Sequence, residues 1–351
     1  MIPRTTTSGV LKSYRYNLNC STYTLNKSRE TVLTGRNFNT FSDDPATAAR
    51  CFQLRRSFQR VDSQYAIGQS TVSKYQIAWD TLNTVVDDVS NAVGDSALAS
   101  ILSGANDASG GGRTTMGAQL SQLAQSIART MNVKYGDNFV FAGADGLNSP
   151  FEFDPATNTL TYRGLDVSDP ANTDALNYLA NEEKKYADLG LGIEEDGNGN
   201  VIDTSAFNTA LQGINFLGYG VDESDAYGDP KNIVCIINRM GQILQNCDEG
   251  GKFASSEEEA EFKRLFGKFE TASSSLTNKH VELDDRASFL NSNQEQLQSS
   301  AYSLQEQFLG LEDADQADAI TAYSWAQYCY NAALKVGNSI LSESMMDYLR
   351  N

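Results

Sequence analysis

Every seventh residue from Phe262 to Leu311 is apolar: Phe262, Phe269, Leu276, Leu283, Leu290, Leu297, Leu304 and Leu311. Four residues after each but the last comes a second series, Phe266, Ser273, His280, Ala287, Gln294, Ala301 and Phe308. Alternating steps of four and three draw one stripe along a helix. A strict seven-residue repeat keeps that stripe against a neighbour through a left-handed supercoil. No Gly or Pro between Lys268 and Phe308 interrupts it. Forty-odd residues rising about 1.5 Å each make a rod roughly 60 Å long. A rod of that length with one continuous seam needs equally long partners.

The chain contains them. Asp44 reads as an N-cap and Pro45 as a first helical residue. The helix they open carries Leu54, Phe58, Val61, Tyr65, Gly68, Val72, Tyr75, Trp79, Leu82, Val86, Val89 and Val93 without a slip in spacing. Residues 8–35 hold a thinner series, Leu11, Leu18, Leu25 and Val32, with Tyr14, Ser21 and Ser28 three residues after the leucines. That edge is too sparse to hold a lone helix, and Gly35 marks its end. A further helix is expected from Thr114 to about Tyr135, and another over Asn232–Cys247. Ser255-Ser256-Glu257-Glu258 offers a cap for the long rod. The heptad phase breaks at 312–318, and a new phase follows: Ile320, Tyr323, Gln327, Tyr330, Leu334, Gly337, Leu341, Met345 and Tyr348. The irregular links at 36–44 and 312–318 are the places where the rods can give.

Between the helices the texture changes. Phe139-Val140-Phe141-Ala142-Gly143 and Thr159-Leu160-Thr161-Tyr162-Arg163 read as strands, and Glu195 to Asn200 as a tight turn. Charge separates the same regions. Residues 1–136 carry a net +5, residues 137–230 a net −15 and residues 231–351 a net −8, which together make the −18 of the chain. The fold class expected is therefore mainly α: long antiparallel coiled-coil rods from both chain ends, with a small α+β or β-rich middle domain inserted. The division is 1–40 plus 315–351 for the terminal helices, 41–136 plus 231–314 for the rods, and 137–230 for an acidic, outward-facing insert.

Little in the sequence points to chemistry. The single histidine, His280, lies on the seam, where a lone polar residue fixes register. Gly110-Gly111-Gly112 lacks the Gly-Lys-Ser/Thr ending of a phosphate loop and reads as a hinge. Asp196, Asn198 and Asn200 mimic the start of a calcium loop. Val201 then stands where Gly is needed and Phe207 where Glu is needed, leaving a plain turn. The five cysteines form no metal pair or disulfide framework and are expected to be free and mostly buried. No catalytic, metal or cofactor site is expected. An acidic total argues against nucleic acid, and no apolar run is long enough for a membrane span. The polar start of the chain is unlike a cleaved secretory signal.

The apolar content of the terminal segments exceeds what a pair of helices can bury between themselves. Leu11, Leu18, Leu25 and Val32 on the first, and Ile320, Tyr323, Tyr330, Leu334, Leu341, Met345 and Leu349 on the last, are the candidate assembly interface.

Two stretches carry a family resemblance. Ser28 to Arg36 followed by Phe41-Ser42-Asp43-Asp44-Pro45-Ala46 resembles the N-terminal pattern of the flagellin family. Glu312-Asp313-Ala314-Asp315 with Tyr330-Asn331-Ala332-Ala333-Leu334 resembles its C-terminal pattern. Phe139 to Gly143, Ser149-Pro150-Phe151 and Ser344-Met345-Met346-Asp347-Tyr348-Leu349 are most similar to its hook-associated branch at the hook–filament junction. The resemblance implies a non-enzymatic structural subunit, exported without a cleaved signal and assembled as a ring outside the cell. It implies as partners other copies of the chain, the first hook-associated protein, flagellin, and a cytoplasmic export chaperone at the C-terminal helix. Filament flagellin itself and a coiled-coil scaffold displaying a binding domain are the alternatives.

Overall fold

A computed structural model describes residues 7–94, 111–154, 157–222, 227–248 and 252–349, and the side chains of Thr7, 92–94, Gly111 and 340–349 are not part of that description. Of the hinge expected at Gly110-Gly111-Gly112, Gly110 lies outside the described residues, while Gly111 and Gly112 open a helix instead. Eight α-helices are present among those described: α1 Thr7–Thr34, α2 Pro45–Gly94, α3 Gly111–Thr130, α4 Thr173–Asn177, α5 Gly213–Leu217, α6 Ile233–Gln245, α7 Ser256–Glu312 and α8 Gln316–Leu349. The mainly α class with a small strand-bearing middle is thus borne out. The chain divides into two compact units, 1–62 with 298–351, and 63–297.

The boundaries follow the local chemistry. Gly35 ends α1 at φ +69°, the left-handed conformation that glycine adopts without strain, and its N–H donates to the Thr31 carbonyl. The Asp44 carboxylate accepts from the N–H groups of Ala46 and Thr47 at 3.2 and 3.1 Å, so Asp44-Pro45 opens α2 as expected. Ser255 Oγ accepts from the Glu258 N–H at 3.1 Å and caps α7. Asp315 does the same for α8 through the N–H of Ala317 at 2.8 Å.

In the unit 63–297 the heptad stripe forms the seam. Phe262, Phe269, Leu276, Leu283, Leu290 and Leu297 are all buried, and Phe266, Ser273, His280, Ala287 and Gln294 half-buried beside them. At ~1.5–3 kcal/mol for each large apolar side chain buried, this stripe is a major source of stability. It meets α2 through Tyr75, Leu82 and Val89, and His280 lies against Trp79 at 5.1 Å between ring centroids. Gly68 gives way to Gln294, whose amide nitrogen would lie 1.7 Å from a Cβ at that position.

The remaining helices cross through glycine. A Cβ on Gly117 of α3 would lie 2.5 Å from the Gly241 carbonyl of α6, and one on Gly241 would lie 2.8 Å from the Gly117 carbonyl. Only paired glycines permit backbones this close. The third helix is shorter than expected, ending at Thr130 in place of Tyr135. The residues beyond it form a hairpin of β1 Lys134–Tyr135 and β2 Asn138–Phe139.

The middle segment is less regular than the sequence suggests. A meander of β3 Phe151–Asp154, β4 Thr159–Tyr162 and β5 Leu165–Asp166 confirms the second expected strand. Of the first, Phe139 is paired in β2, and the rest is held by an isolated antiparallel bridge of Ala142 with Gln212, the Val140 N–H donating to the Val133 carbonyl and the Gly143 N–H to the Leu211 carbonyl. Val140, Phe141 and Ala142 are buried, with Phe141 contacting Phe216 edge-on at 5.7 Å. β6 Tyr186–Ala187 pairs with β7 Phe207–Asn208. Phe207 then stacks on Phe289 of α7 and meets Tyr75 of α2, each at 5.7 Å. Phe141, Phe151, Tyr162, Ile214 and Leu217 therefore share one core with α3, α6 and the rods. Asp196 closes the 195–200 turn by accepting from the N–H groups of Asn198 and Asn200.

Candidate assembly interface

In the unit 1–62 with 298–351, α1 and α8 pack antiparallel, bringing Tyr14 onto Gly337 and Gly35 beside Gln316. The stripe on α1 is the expected one: Leu11, Tyr14, Leu18, Ser21, Leu25, Ser28 and Val32 are half-buried. The stripe on α8 is the expected one in part: Tyr323, Tyr330 and Gly337 lie on it, while Ala319, Ala326 and Ala333 take the places expected of Ile320, Gln327 and Leu334. Its most buried positions are Ala319, Ala326 and Gly337, with Tyr323, Tyr330 and Ala333 half-buried between them. Ile320 and Leu334, placed on the stripe by the sequence phase, are exposed. The seam runs along small residues because they let two helix backbones approach. The large apolar residues beside them were weighted too heavily in the sequence pattern. Leu341, Met345 and Leu349 belong to the backbone of α8, but their side chains lie outside the described residues.

The apolar mass displaced from the seam lies on the other side. On α8, Ile320, Trp325, Tyr328 and Val336 are exposed, Trp325 and Tyr328 each at 66%, and these two rings stack at 5.8 Å. At about 100° per residue, these four positions centre roughly opposite the Ala319–Ala326–Gly337 line. On α1, Tyr16 and Tyr23 are 70% and 65% exposed, again opposite the half-buried stripe. Cys20 lies between them and is exposed, contrary to the expectation for the cysteines as a group. Cys51 and Cys247 are buried as expected, and all five are free. Among the described side chains of α1 and α8, no large one is fully buried. Each terminal helix thus has two apolar faces, one turned to its mate and one turned outward.

A knot of polar contacts closes this unit where the helices change direction. Glu312, the last residue of α7, is buried, and its carboxylate receives Arg36 at 3.1 Å and Arg55 of α2. The Cys51 thiol points at the same carboxylate at 3.8 Å. Burial, and then the Glu312 charge, push that thiol up from its usual range. The backbone joins in: Asn37 N–H donates to the Glu312 carbonyl, Ala314 N–H to the Gly35 carbonyl, and the Asn37 amide to the Asp313 carbonyl at 2.9 Å. The links at 36–44 and 313–315 are one stitched elbow. Nothing in the spacing of residues signalled this, because a single pair of links far apart in sequence produces it.

No group of residues able to hold a metal ion occurs among the described residues, and no described helix is long and apolar enough to cross a membrane. His280 packs on Trp79.

No protein-family model matches the sequence, and no curated protein does. Among solved structures, one described as a flagellar hook-associated protein from Vibrio parahaemolyticus is similar over 77% of this chain and 99% of its own, at 13% identity and a TM-score of 0.54. The two chains share a fold. Bacillus cereus FlgL is also similar, over 73% of this chain and 99% of its own, at 13% identity and a TM-score of 0.46. Flagellar hook associated protein-3 from Legionella pneumophila gives 73% and 98%, with the same identity and score.

Proposed function

We propose that this chain is a structural, non-catalytic subunit of the bacterial flagellum, placed at the junction between hook and filament. The observation that carries the reading is the doubly apolar character of α1 and α8. Their shared seam fully buries no large side chain among those described, while Tyr16, Tyr23, Trp325 and Tyr328 stand in water. A helix pair this lean is marginal alone and gains most of its stability where the outer aromatic faces are covered. Other copies of the chain in a ring cover them best, with the first hook-associated protein and flagellin at the two ends. The fold shared with a flagellar hook-associated protein and the sequence resemblance at both chain ends support the same conclusion.

The division into terminal helices (1–40 with 315–351), rods (41–136 with 231–314) and an outward-facing insert (137–230) belongs to this proposal. So do export through the flagellar apparatus without a cleaved signal, location outside the cell, and an export chaperone that holds the C-terminal helix beforehand. Leu11, Leu18, Leu25, Val32, Tyr323 and Tyr330 then set the pairing of the tails, and Ile320 and Leu334 join Trp325 in meeting neighbours.

Replacing Trp325 by Glu tests the reading. The isolated chain should unfold as the wild type does, within about 0.5 kcal/mol, because the site is exposed. Cells carrying it should bear hooks without filaments and shed flagellin into the medium. Normal filaments on such cells would refute the proposal. Spontaneous growth of the purified wild-type chain into long filaments, without hook ends present, would make it filament flagellin.

A further inference from the structure

We propose that the cleft between α2 and the 135–146 loop, closed by Lys185 and Thr209, is a binding site for a small oxyanion held between the ammonium groups of Lys74 and Lys185. The cleft measures about 370 Å³ and lies wholly within the unit 63–297. Lys74 reaches it from α2, where its ammonium donates to the Thr209 carbonyl at 3.0 Å. Its only other strong neighbour is a like charge, Lys185. Asp137 also lines the cleft, yet neither lysine forms an ion pair among the described residues.

A half-buried cation with no counter-charge and a second, exposed one beside it call for an explanation. Residues 137–230 hold eighteen carboxylates against three basic side chains, so a counter-ion for Lys185 is nowhere scarce. A half-buried ammonium loses hydration that only an anion or good acceptors restore. Lys74 has three N–H donors and uses one. Burial, and then the Lys185 charge, push Lys74 down to about 8. An oxyanion between the two ammoniums would offset both causes and accept the spare N–H groups. Ser70 and Asn138 line the same cleft and add neutral donors for its remaining oxygens. The volume admits a phosphate, or a small organic molecule that ends in a carboxylate.

The test uses the full chain, competitive acetylation of lysines read by mass spectrometry, and inorganic phosphate or acetate as probe against chloride at equal ionic strength. Phosphate should protect Lys74 and Lys185 together, saturating at one concentration, while Lys12 reacts unchanged. Lys185→Met, an exposed change that leaves the fold intact, should weaken the protection of Lys74 about tenfold, the effect of losing one charge-assisted contact. Protection by acetate in place of phosphate supports the same site with a carboxylate as its ligand. Protection by neither probe beyond chloride, or a Lys185→Met chain that protects Lys74 as well as the wild type, overturns the proposal.

Discussion

The phenol of Tyr14 fills the space above Gly337: a Cβ built on that glycine would lie 1.9 Å from the phenolic oxygen and 2.2 Å from Cζ. This contact fixes where α1 sits along α8, since no other residue type leaves room for the ring. Gly337→Leu should therefore expel Tyr14 and loosen the pair by about 1–3 kcal/mol, the usual cost of overpacking. Hydrogen exchange over residues 8–34 and 316–339 in the assembled form reports it. Pairing Gly337→Leu with Tyr14→Ala should recover part of the loss, which shows that the two positions are coupled.

Leu334 flanks the seam of α8, one turn before Gly337, and is exposed in the single chain. Leu334→Asp should leave the midpoint of urea unfolding unchanged and abolish entry into the assembly, where the charge would be buried without a partner. Pull-down of the variant with wild-type copies measures this. Undiminished co-assembly would place Leu334 away from any interface.

The carboxylate of Glu312 is shared by Arg36 and Arg55, both of which are partly open to solvent. That exposure moderates the strength of each pair. Glu312→Ala should still cost about 1–3 kcal/mol, because charge-assisted contacts to a buried group are lost together. Limited proteolysis should then cut within 36–44 and 313–315 first, where the parent chain should resist cleavage.

Asp229, buried ahead of α6, accepts from Arg264 Nη2 at 3.0 Å and pairs with Lys268 at 3.0 Å, both on α7. The hydrogen bond from Arg264, helped by Lys268, holds its carboxyl below the ordinary 3.8 despite burial. A lowered folded-state value means that the stabilisation is present above about pH 4 and fades as pH falls through the folded value. Thermal unfolding between pH 6 and 2 should show that loss. Asp229→Asn should be less stable at pH 6 and flatter in its acid dependence.

The crossing of α3 and α6 allows no side chain at Gly241. The atoms within 3.1 Å of an added Cβ include the Gly117 carbonyl and the Ser121 amide, which are backbone and cannot rotate away. Gly241→Val should push the helices apart and cost ~2 kcal/mol or more, seen as a lower urea midpoint at unchanged slope.

The seam of α7 was legible because seven-residue periodicity is a property of one helix alone: Phe262 through Leu297 are buried as their spacing requires. The caps at Asp44 and Ser255 were legible for the same reason, since capping involves neighbours in sequence. The stripe of α8 was misread where its mate accepts only small residues. Periodicity ranks Ile320 above Ala319, whereas close approach of backbones reverses that order. The strand expected over Phe139–Gly143 is reduced to the end of β2 and a bridge of Ala142 with Gln212, because apolar and aromatic composition marks burial as much as continuous pairing. The elbow at Glu312 and the lysine cleft were invisible. Each joins segments more than a hundred residues apart, and long-range polar pairing leaves no local periodic trace.

The stitched elbow has a mechanical meaning. Chain enters α2 and leaves α7 through links that share one carboxylate and several backbone bonds. A pull on either tail is thus borne by both links at once, as a load on one strand of a spliced rope passes to the other. Rupture of a single tail contact would not set its helix adrift. A chain under axial load would resist fraying at these two links.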